Sequence, residues 1–202
     1  MAQFTAGTEH AEPTVSSATP LPLSLGAFAL TTVILGSIFS GFIVPSGGAG
    51  MSILAAVAFF GGLVQLLTGM WELRQDTMLP GTIFASYGGF LMAFGVILAP
   101  SLGILNALGS VVHPALGLFF LAWTIFSAIL FLSSLRMNIA LVITLALLFL
   151  SYLLLTIGEL AGGSATILMI GGWLGILTGL VAWYTAFAGL LTAGKGAFHL
   201  PM

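Results

Sequence analysis

Residues 114–157 read PALGLFFLAWTIFSAILFLSSLRMNIALVITLALLFLSYLLLTI, which is two long apolar stretches joined by one short polar turn. Arg136 is the only charged residue in this segment. A helix needs roughly 20 mainly apolar residues to cross a hydrocarbon core of about 30 Å. The turn Arg136-Met137-Asn138 is so short that the two stretches must pack as an antiparallel pair. They therefore predict a membrane-spanning helical hairpin.

The rest of the chain has the same apolar character. Of its 202 residues, 59% are hydrophobic and 4% are charged, and the mean hydropathy is +1.23. A soluble domain typically carries charges at about a quarter of its positions, so this composition cannot build a water-facing shell. The length accommodates about six spans with short connections. One compact membrane domain is expected, with no room for a soluble catalytic module.

Prolines, glycines and charged residues separate the spans. Six helices are predicted, over residues 22–44, 51–71, 80–99, 114–135, 139–157 and 165–194. They form one transmembrane domain over residues 20–196, between a flexible N-terminal tail at 1–19 and a short C-terminal tail at 197–202. The predicted fold is an all-α membrane protein, a six-transmembrane-helix bundle.

The three cations indicate the orientation of the bundle. Arg74, Arg136 and Lys195 follow the second, fourth and sixth spans, so all three fall on one side of the membrane. Cytoplasmic loops favour Lys and Arg, which predicts that both termini are cytoplasmic in a plasma or inner membrane. Glu159 then lies near the external end of the fifth span.

The second span carries the most informative polar face. Gly62, Gln65, Gly69 and Glu72 stay aligned on one side of a helix. Gln65 lies about mid-membrane, where strongly polar groups usually face a bundle interior or a wet cavity. Two interpretations of Gln65 stay open, an interhelical hydrogen bond and a place on a transport pathway. For Glu72 they are an interfacial ion pair with Arg136 or Arg74, and the handling of a substrate or a proton.

Hydroxyl side chains recur in the other spans. They include Ser24, Thr31 and Thr32 in the first span and Ser86 in the third. A Ser or Thr in a membrane helix usually bonds the carbonyl four residues earlier in its own helix. Each of these residues therefore has two interpretations, that local bond and a place on a pathway.

Several functional classes lack the residues they need. The chain has no cysteine, and His10, His113 and His199 lie in predicted tails or loops, so neither a metal site nor a cofactor is predicted. No nucleophile–base pair or phosphate-binding loop is visible, which argues against an enzyme or an ATP-driven pump. The net charge of -2 is too small to indicate a nucleic-acid partner. With no cation at mid-membrane to trap a bulky anion, the expected permeant is small.

Short motifs extend over nearly the whole chain after the tail. The first is Thr19-Pro20-Leu21-Pro22-Leu23-Ser24-Leu25. The strongest are Phe60-Gly61-Gly62, Gln65, Gly69 and Glu72, followed by Thr82, Phe84, Ser86-Tyr87-Gly88 and Phe90. Together these residues resemble the acetate uptake transporter family, whose N-terminal signature is Asn-Pro-Ala-Pro-Leu-Gly-Leu. The chain departs from the family at Thr19 for Asn, at Ser24 for Gly, and at Leu91 where many members carry Trp.

The resemblance implies a six-helix protomer in a homo-oligomeric ring, a hexamer, with a separate pathway through each protomer. It implies transport of small monocarboxylates, acetate above all, with succinate or formate as further candidates and with proton coupling. In the family, bulky residues of three helices form a hydrophobic constriction, which alignment places at Phe28, Tyr87 and Leu148. The other candidates for the pathway are Pro22, Leu23, Ser24, Thr31, Thr32, Gln65 and Ser86, with Glu72 as the candidate for a proton-linked role.

Two other functions stay open at this stage. A channel for a small neutral solute, such as urea or a short amide, fits a pore without a fixed cation. A membrane scaffold, whose glycine faces serve only assembly, fits the composition too. In a scaffold, Phe28→Ala and Tyr87→Ala would change no flux.

Overall fold

The computed structural model describes residues 19–42 and 49–193, and within those ranges the chain is helical, without a strand. Six helices are long and apolar enough to cross a membrane. The helices are α1 (Leu21–Ser40), α2 (Ala49–Arg74), α3 (Met78–Leu98), the short α4 (Ile104–Leu108), α5 (Val112–Ser134), α6 (Ile139–Leu160) and α7 (Ala165–Ala193). The predicted six-span membrane fold is confirmed. Apart from Thr19, the predicted tails lie outside the described residues, and so does Lys195.

The first helix ends four residues earlier than predicted. It ends at Ser40 because Gly41 adopts a left-handed conformation, with φ at 67°. The Gly41 and Phe42 N–H groups then donate to the carbonyls of Ile38 and Ser37 at 3.1 and 3.0 Å. Such a cap satisfies the last carbonyls of a helix and turns the chain away from its axis.

Two other helices run past their predicted ends. The prediction ended the fifth span before Gly158, but α6 continues to Leu160. Gly158 stays inside the helix, where it lets α7 pack closely against α6. A Cβ at Gly158 would lie 2.8 Å from Cδ2 of Leu168 on α7. The helix α2 continues to Arg74, so Glu72 lies inside its last turn.

Small residues bring the helices together in pairs. The helix α1 packs along α7, where a Cβ at Gly36 would lie 2.5 Å from the Gly172 carbonyl oxygen. The helix α2 packs along α3 in the same way, where a Cβ at Gly62 would lie 2.7 Å from the Gly88 carbonyl oxygen. Lipid supplies no hydrophobic force between membrane helices, so close backbone approach is the main source of their association.

The alternation of helix directions gives the bundle two chemically different ends. Arg74 is the last residue of α2 and Arg136 follows α5 at one end, which we term the cationic end. The other end holds Ser40 at the end of α1, His113 at the start of α5 and Glu159 in the last turn of α6. We term it the vestibule end, because a large cavity lies there.

Candidate functional site

Three cavities follow one another between α1, α3 and α6. The cationic-side cavity, of about 10 Å³, is lined by Leu25, Phe28, Ile83, Phe84, Tyr87, Leu141, Thr144 and Leu145. The inner cavity, of about 30 Å³, is lined by residues that include Thr32, Phe39, Phe90, Phe94, Leu148 and Tyr152. The vestibule, of about 550 Å³, is lined by residues that include Phe39, Ser40, Phe94, His113 and Glu159. The three cavities lie in a row from the cationic end to the vestibule end.

A first aromatic partition separates the two smaller cavities. The rings of Phe28 and Tyr87 contact each other with centroids 6.2 Å apart and planes tilted by 44°. Both side chains are buried, at 5% and 1% exposure, and both line the cationic-side cavity. The next turns of the same helices carry Thr32 and Phe90, which line the inner cavity. The two rings therefore stand at the boundary between the cavities.

Leu148 lies at the same level on α6. Thr144, one turn before it, lines the cationic-side cavity, whereas Leu148 lines the inner cavity. The side chain of Leu148 is 2% exposed. The structure thus brings all three predicted constriction residues to one level of the bundle, with Leu148 on the inner side of the two rings.

A hydrogen bond that the sequence did not predict holds one of these rings. The Tyr87 hydroxyl donates to Oγ of Ser127 on α5 at 2.9 Å, and both residues are buried. Ser127 is fully buried on α5, one turn after the buried Thr124. Hydroxyl residues at this spacing inside an apolar span were the available signal, because a buried polar group seeks a polar partner.

A second aromatic partition separates the inner cavity from the vestibule. The Phe39 ring stacks on Phe94 at 6.4 Å and meets the edge of Phe120 at 6.1 Å. Phe39 and Phe94 line both cavities. Sequence reasoning missed this layer, although helical periodicity points to it. Phe39 follows Phe28 by about three turns, and Phe94 follows Tyr87 by about two.

The two smaller cavities have little free volume in this conformation. A cavity needs roughly 10–15 Å³ of such volume to hold one water molecule. The cationic-side and inner cavities, at about 10 and 30 Å³, therefore hold about one or two waters each. The three cavities would join only if the aromatic side chains of both partitions moved.

The predicted hydroxyl groups of α1 bond within their own helix. Ser24, Thr31 and Thr32 donate to the carbonyls of Pro20, Ala27 and Phe28 at 3.3, 2.9 and 2.7 Å. Of the three, Thr32 also lines the inner cavity. This is the local bonding that membrane helices commonly show, so only Thr32 is placed where it can also face a solute.

Three other pathway candidates do not line the row of cavities. The side chain of Leu23 is 60% exposed on the outer surface of the bundle. Pro22 packs toward α7, where a Cβ at Gly189 would lie 3.2 Å from its Cγ. Ser86 is half-buried and lines none of the three cavities. Ser86 precedes the cavity-lining Tyr87 in sequence, but it lies on a different face of α3.

Gln65 is fully buried and its amide has no hydrogen-bond partner in the part of the chain that the structure describes. It lies where α2 passes between α1 and α3. One turn before it, Gly61 packs against Thr31 and Ala27 of α1, and one turn after it, Gly69 packs against Ala85 of α3. The predicted interhelical hydrogen bond is therefore not formed in this conformation, although the amide lies near the level of the first partition.

Glu72 is buried at the cationic end and bonds to two threonines. The Thr19 hydroxyl donates to its Oε1 at 3.0 Å, and the Thr77 hydroxyl donates to its Oε2. The predicted ion pair with Arg136 or Arg74 is absent from the described residues. Thr19 precedes α1 and Thr77 precedes α3, so one carboxyl group ties three helices together. Thr19 is also the position where the family carries Asn.

The described residues form a contact between a histidine and a carboxylate at the vestibule end. Nδ1 of His113 lies at hydrogen-bond distance from Oε2 of Glu159, at 2.8 Å. Glu159 is 3% exposed, whereas the His113 side chain is 45% exposed. Sequence reasoning treated His113 as a loop histidine. The available signal was that the connections at this end have no other ionisable residue.

This fold and this site define a class, the multi-pass α-helical membrane proteins with a row of cavities along the bundle. Within that class, the chain belongs to the GPR1/FUN34/yaaH family, whose sequence model matches residues 2–202. The match confirms the resemblance that the short motifs indicated.

Named relatives and a solved structure agree with this membership. The chain is 34% identical over 198 residues to Acetate permease A of Emericella nidulans, covering 92% of this chain and 65% of the permease. It is 32% identical over 185 residues to the Succinate-acetate/proton symporter SatP of Escherichia coli strain K12, covering 92% and 95%. The solved structure of the bacterial acetate channel SatP superimposes with a TM-score of 0.80 at 30% identity, covering 92% of this chain and 99% of the channel.

The relatives differ in length. The chain spans 65% of the fungal permease but 95% of the bacterial symporter. The three proteins named above are a permease, a symporter and a channel, which are transport proteins.

Proposed function

We propose that this protein carries acetate and related small monocarboxylates across a membrane, with succinate and formate as further candidates. The observation that carries the proposal is the row of three cavities closed by two aromatic partitions, the first formed by Phe28 and Tyr87 beside Leu148. The names of the relatives, acetate permease and succinate-acetate/proton symporter, support the choice of solute.

The chemistry of the lining suits a short carboxylic acid. A constriction of aromatic and aliphatic groups loses water readily and gates passage. Acetate has one methyl group and one carboxyl group, so it needs apolar contacts as well as hydrogen-bond donors. Thr32 beside the inner cavity and Thr144 beside the cationic-side cavity place one hydroxyl on each side of the first partition. The buried amide of Gln65 is a further donor that a rearrangement of the partition brings into use.

The solute gradient drives this transport, and an imposed proton gradient adds to it. An ionised carboxylate loses several kcal/mol of solvation when it enters an apolar constriction, whereas the neutral acid does not. The described spans hold no Lys or Arg between the two ends of the bundle to offset that cost. Glu72 is our candidate for a proton-linked group at the cationic end, which we place in the cytoplasm together with both termini.

Assembly completes the proposal. The outward faces of α2 and α5 expose large apolar side chains, among them Phe60 and Leu67 of α2 and Leu118 and Ile129 of α5. Such faces are covered by lipid or by neighbouring protomers. A hexameric ring with one pathway in each protomer is our proposal for the assembled state.

Uptake of labelled acetate into proteoliposomes tests the function. We expect uptake above that of empty vesicles, with a further increase when an inward proton gradient is imposed. Absence of uptake in both conditions would overturn the proposal.

Stopped-flow swelling of proteoliposomes with urea, run beside acetate, tests the neutral-solute alternative. If the protein is a channel for urea, the vesicles swell with urea, and the rate of swelling does not depend on the proton gradient.

A further inference from the structure

We propose that His113 and Glu159 form a binding and proton-transfer site for the carboxylate solute in the vestibule. In this site the imidazole Nε2 meets the solute carboxyl group, and Glu159 orients the ring. The inference rests on the proposed function, and it assigns a chemical role to a pair that the resemblance did not include.

The geometry fixes the roles of the two ring nitrogens. Nδ1 of His113 is bonded to Oε2 of Glu159 at 2.8 Å. An ionised carboxylate accepts hydrogen bonds only, so this contact keeps the proton on Nδ1 and leaves Nε2 to exchange one. No described residue bonds to Nε2. A carboxylate that orients an imidazole in this way is a recurrent arrangement for proton transfer.

The surrounding backbone holds both side chains in place. The carbonyl of Glu159 accepts from the Gly162 N–H at 3.0 Å, which caps the end of α6. Gly163 has φ at 81°, and a Cβ there would lie 2.7 Å from both ring nitrogens of His113. Only a glycine fits beside the imidazole, so the pocket of the ring is built by the α6–α7 turn.

No competing ionisable group faces the pair within the described chain. The vestibule is lined by α1, α2, α3, α4, α5, α6 and the start of α7, and His113 and Glu159 are its only titratable lining residues. The connections at this end, residues 41–50, 99–112 and 160–165, contain no ionisable side chain in the sequence. The nearest titratable group along the row is Tyr152 in the inner cavity. Glu72, Arg74, Asp76 and Arg136 belong to the cationic end.

The pair lies where neutralisation of the solute is needed. Beyond the vestibule, a solute meets Phe39 and Phe94 and then an inner cavity with Thr32, Ser151 and Tyr152 as its polar side chains. A carboxylate that takes a proton before this partition avoids the cost of entering it as an ion. In the proton-transfer step the N–H bond at Nε2 of imidazolium breaks and an O–H bond forms on the carboxylate oxygen. The neutral acid moves inward, and Nε2 regains a proton from vestibule water.

Binding can be tested without measuring transport. In a His10→Gln/His199→Gln background, His113 is the only histidine of the chain, so a protein labelled at imidazole carbon gives one histidine NMR signal in nanodiscs. At mildly acidic pH, where imidazole is ordinarily protonated, we expect acetate to shift that signal saturably. Acetamide, which has the same shape and no carboxylate, should leave it in place. An unmoved signal with acetate, or an equal shift with acetamide, would overturn the inference.

Flux measurements test the proton-transfer role. His113→Gln should lower acetate uptake at acidic pH on the vestibule side about tenfold, as expected for loss of one charge-assisted hydrogen bond, and flatten the pH profile. Glu159→Gln, which keeps the imidazole, should give a smaller loss with a shifted profile. His199→Gln, which removes a different imidazole, should match the wild type.

The outcomes separate this inference from the proposed function. If the wild-type protein carries no acetate, the proposed function is wrong, and the NMR titration still decides whether the vestibule binds a carboxylate. If the wild type transports acetate and His113→Gln keeps the same rate and pH profile, the transport proposal stands and the inference about this pair is overturned.

Discussion

The Tyr87 hydroxyl donates a buried hydrogen bond to Oγ of Ser127 at 2.9 Å, and this bond links the first partition to α5. Phe28 contacts Tyr87 at 6.2 Å but has no polar atom to hold its own ring. The position of the partition therefore depends on a bond between two helices, α3 and α5, that are 40 residues apart at this point. A rotation of Tyr87 that opens the path must first break that bond.

Ser127→Ala is expected to loosen the partition. It leaves the Tyr87 hydroxyl buried without a partner, which costs about 1–3 kcal/mol and favours ring orientations that reach water. We expect faster acetate flux and a lower unfolding temperature than in the wild type. Tyr87→Phe removes the donor, and the Ser127 hydroxyl that remains can donate to a carbonyl of its own helix, so this variant should raise flux with a smaller loss of stability. Equal flux in all three proteins would show that the bond does not limit opening.

Phe28→Ala is expected to widen the first partition. Loss of the ring removes the Tyr87 contact and leaves a cavity between α1 and α3, at a stability cost of about 3–5 kcal/mol in a well-packed interior. The rate of succinate uptake relative to acetate uptake in proteoliposomes should rise. Ile129→Ala, on the exposed face of α5, is the control for a large apolar side chain outside the path. An unchanged ratio would remove Phe28 from the selectivity-determining residues.

The roles of Glu72 in anchoring helices and in proton coupling can be separated. Glu72→Gln keeps the shape, accepts from one threonine through its amide oxygen, can donate to the other through its amide nitrogen, and cannot ionise. Thr19→Ala removes one bond and keeps the carboxyl group. We expect Glu72→Gln to lose the extra uptake that a proton gradient drives, and Thr19→Ala to retain it at reduced stability. Equal behaviour of the two variants in uptake and in thermal unfolding would assign Glu72 to anchoring alone.

Composition alone predicted the spans, because lipid as a solvent restricts each one to a long apolar helix. The helix ends were less predictable. The sequence prediction continued the first span through Gly41 and stopped the fifth span before Gly158. In the structure, Gly41 ends α1 in a left-handed conformation, whereas Gly158 stays inside α6 to admit Leu168. The difference arises from what packs beside each glycine, which local sequence does not contain.

The site was only partly predictable, because its contacts also depend on how the helices pack. The resemblance named Phe28, Tyr87 and Leu148, and the structure brings them to one level. The partners of these groups lie far away in sequence, since Ser127 is 40 residues from Tyr87 and Glu159 is 46 residues from His113. Their pairing depends on how α3, α5 and α6 pack. Periodicity could have found Phe39 and Phe94, because they repeat the faces of Phe28 and Tyr87.

A matched pair of glycine substitutions in α1 tests the packing of the bundle. A Cβ at Gly36 would lie 2.5 Å from the Gly172 carbonyl oxygen and 2.7 Å from the Ile176 backbone nitrogen, whereas a Cβ at Gly26 meets nothing within 4 Å. We expect Gly36→Ala to destabilise the protein by about 1–3 kcal/mol through overpacking, measured by thermal unfolding in detergent. Gly26→Ala should be neutral or stabilising, because alanine is the better helix former. Equal stabilities would show that α1 and α7 can move apart to accept the added methyl group without a loss of stability.

The absence of cysteine from the chain makes the two partitions separately testable. Ser151→Cys places one thiol in the inner cavity, and Thr144→Cys places one in the cationic-side cavity; both positions are buried. A small water-soluble thiol reagent should label either cysteine slowly, because the cavities hold only about one or two waters.

Adding Phe94→Ala should open the inner cavity to the vestibule and speed labelling at position 151, while labelling at 144 stays slow. Adding Phe28→Ala together with Phe94→Ala should speed labelling at 144 as well, because it joins the cationic-side cavity to an inner cavity that is now open to the vestibule. If Phe94→Ala speeds both positions equally, the first partition is no barrier to water, and a single layer at Phe39 and Phe94 must close the path.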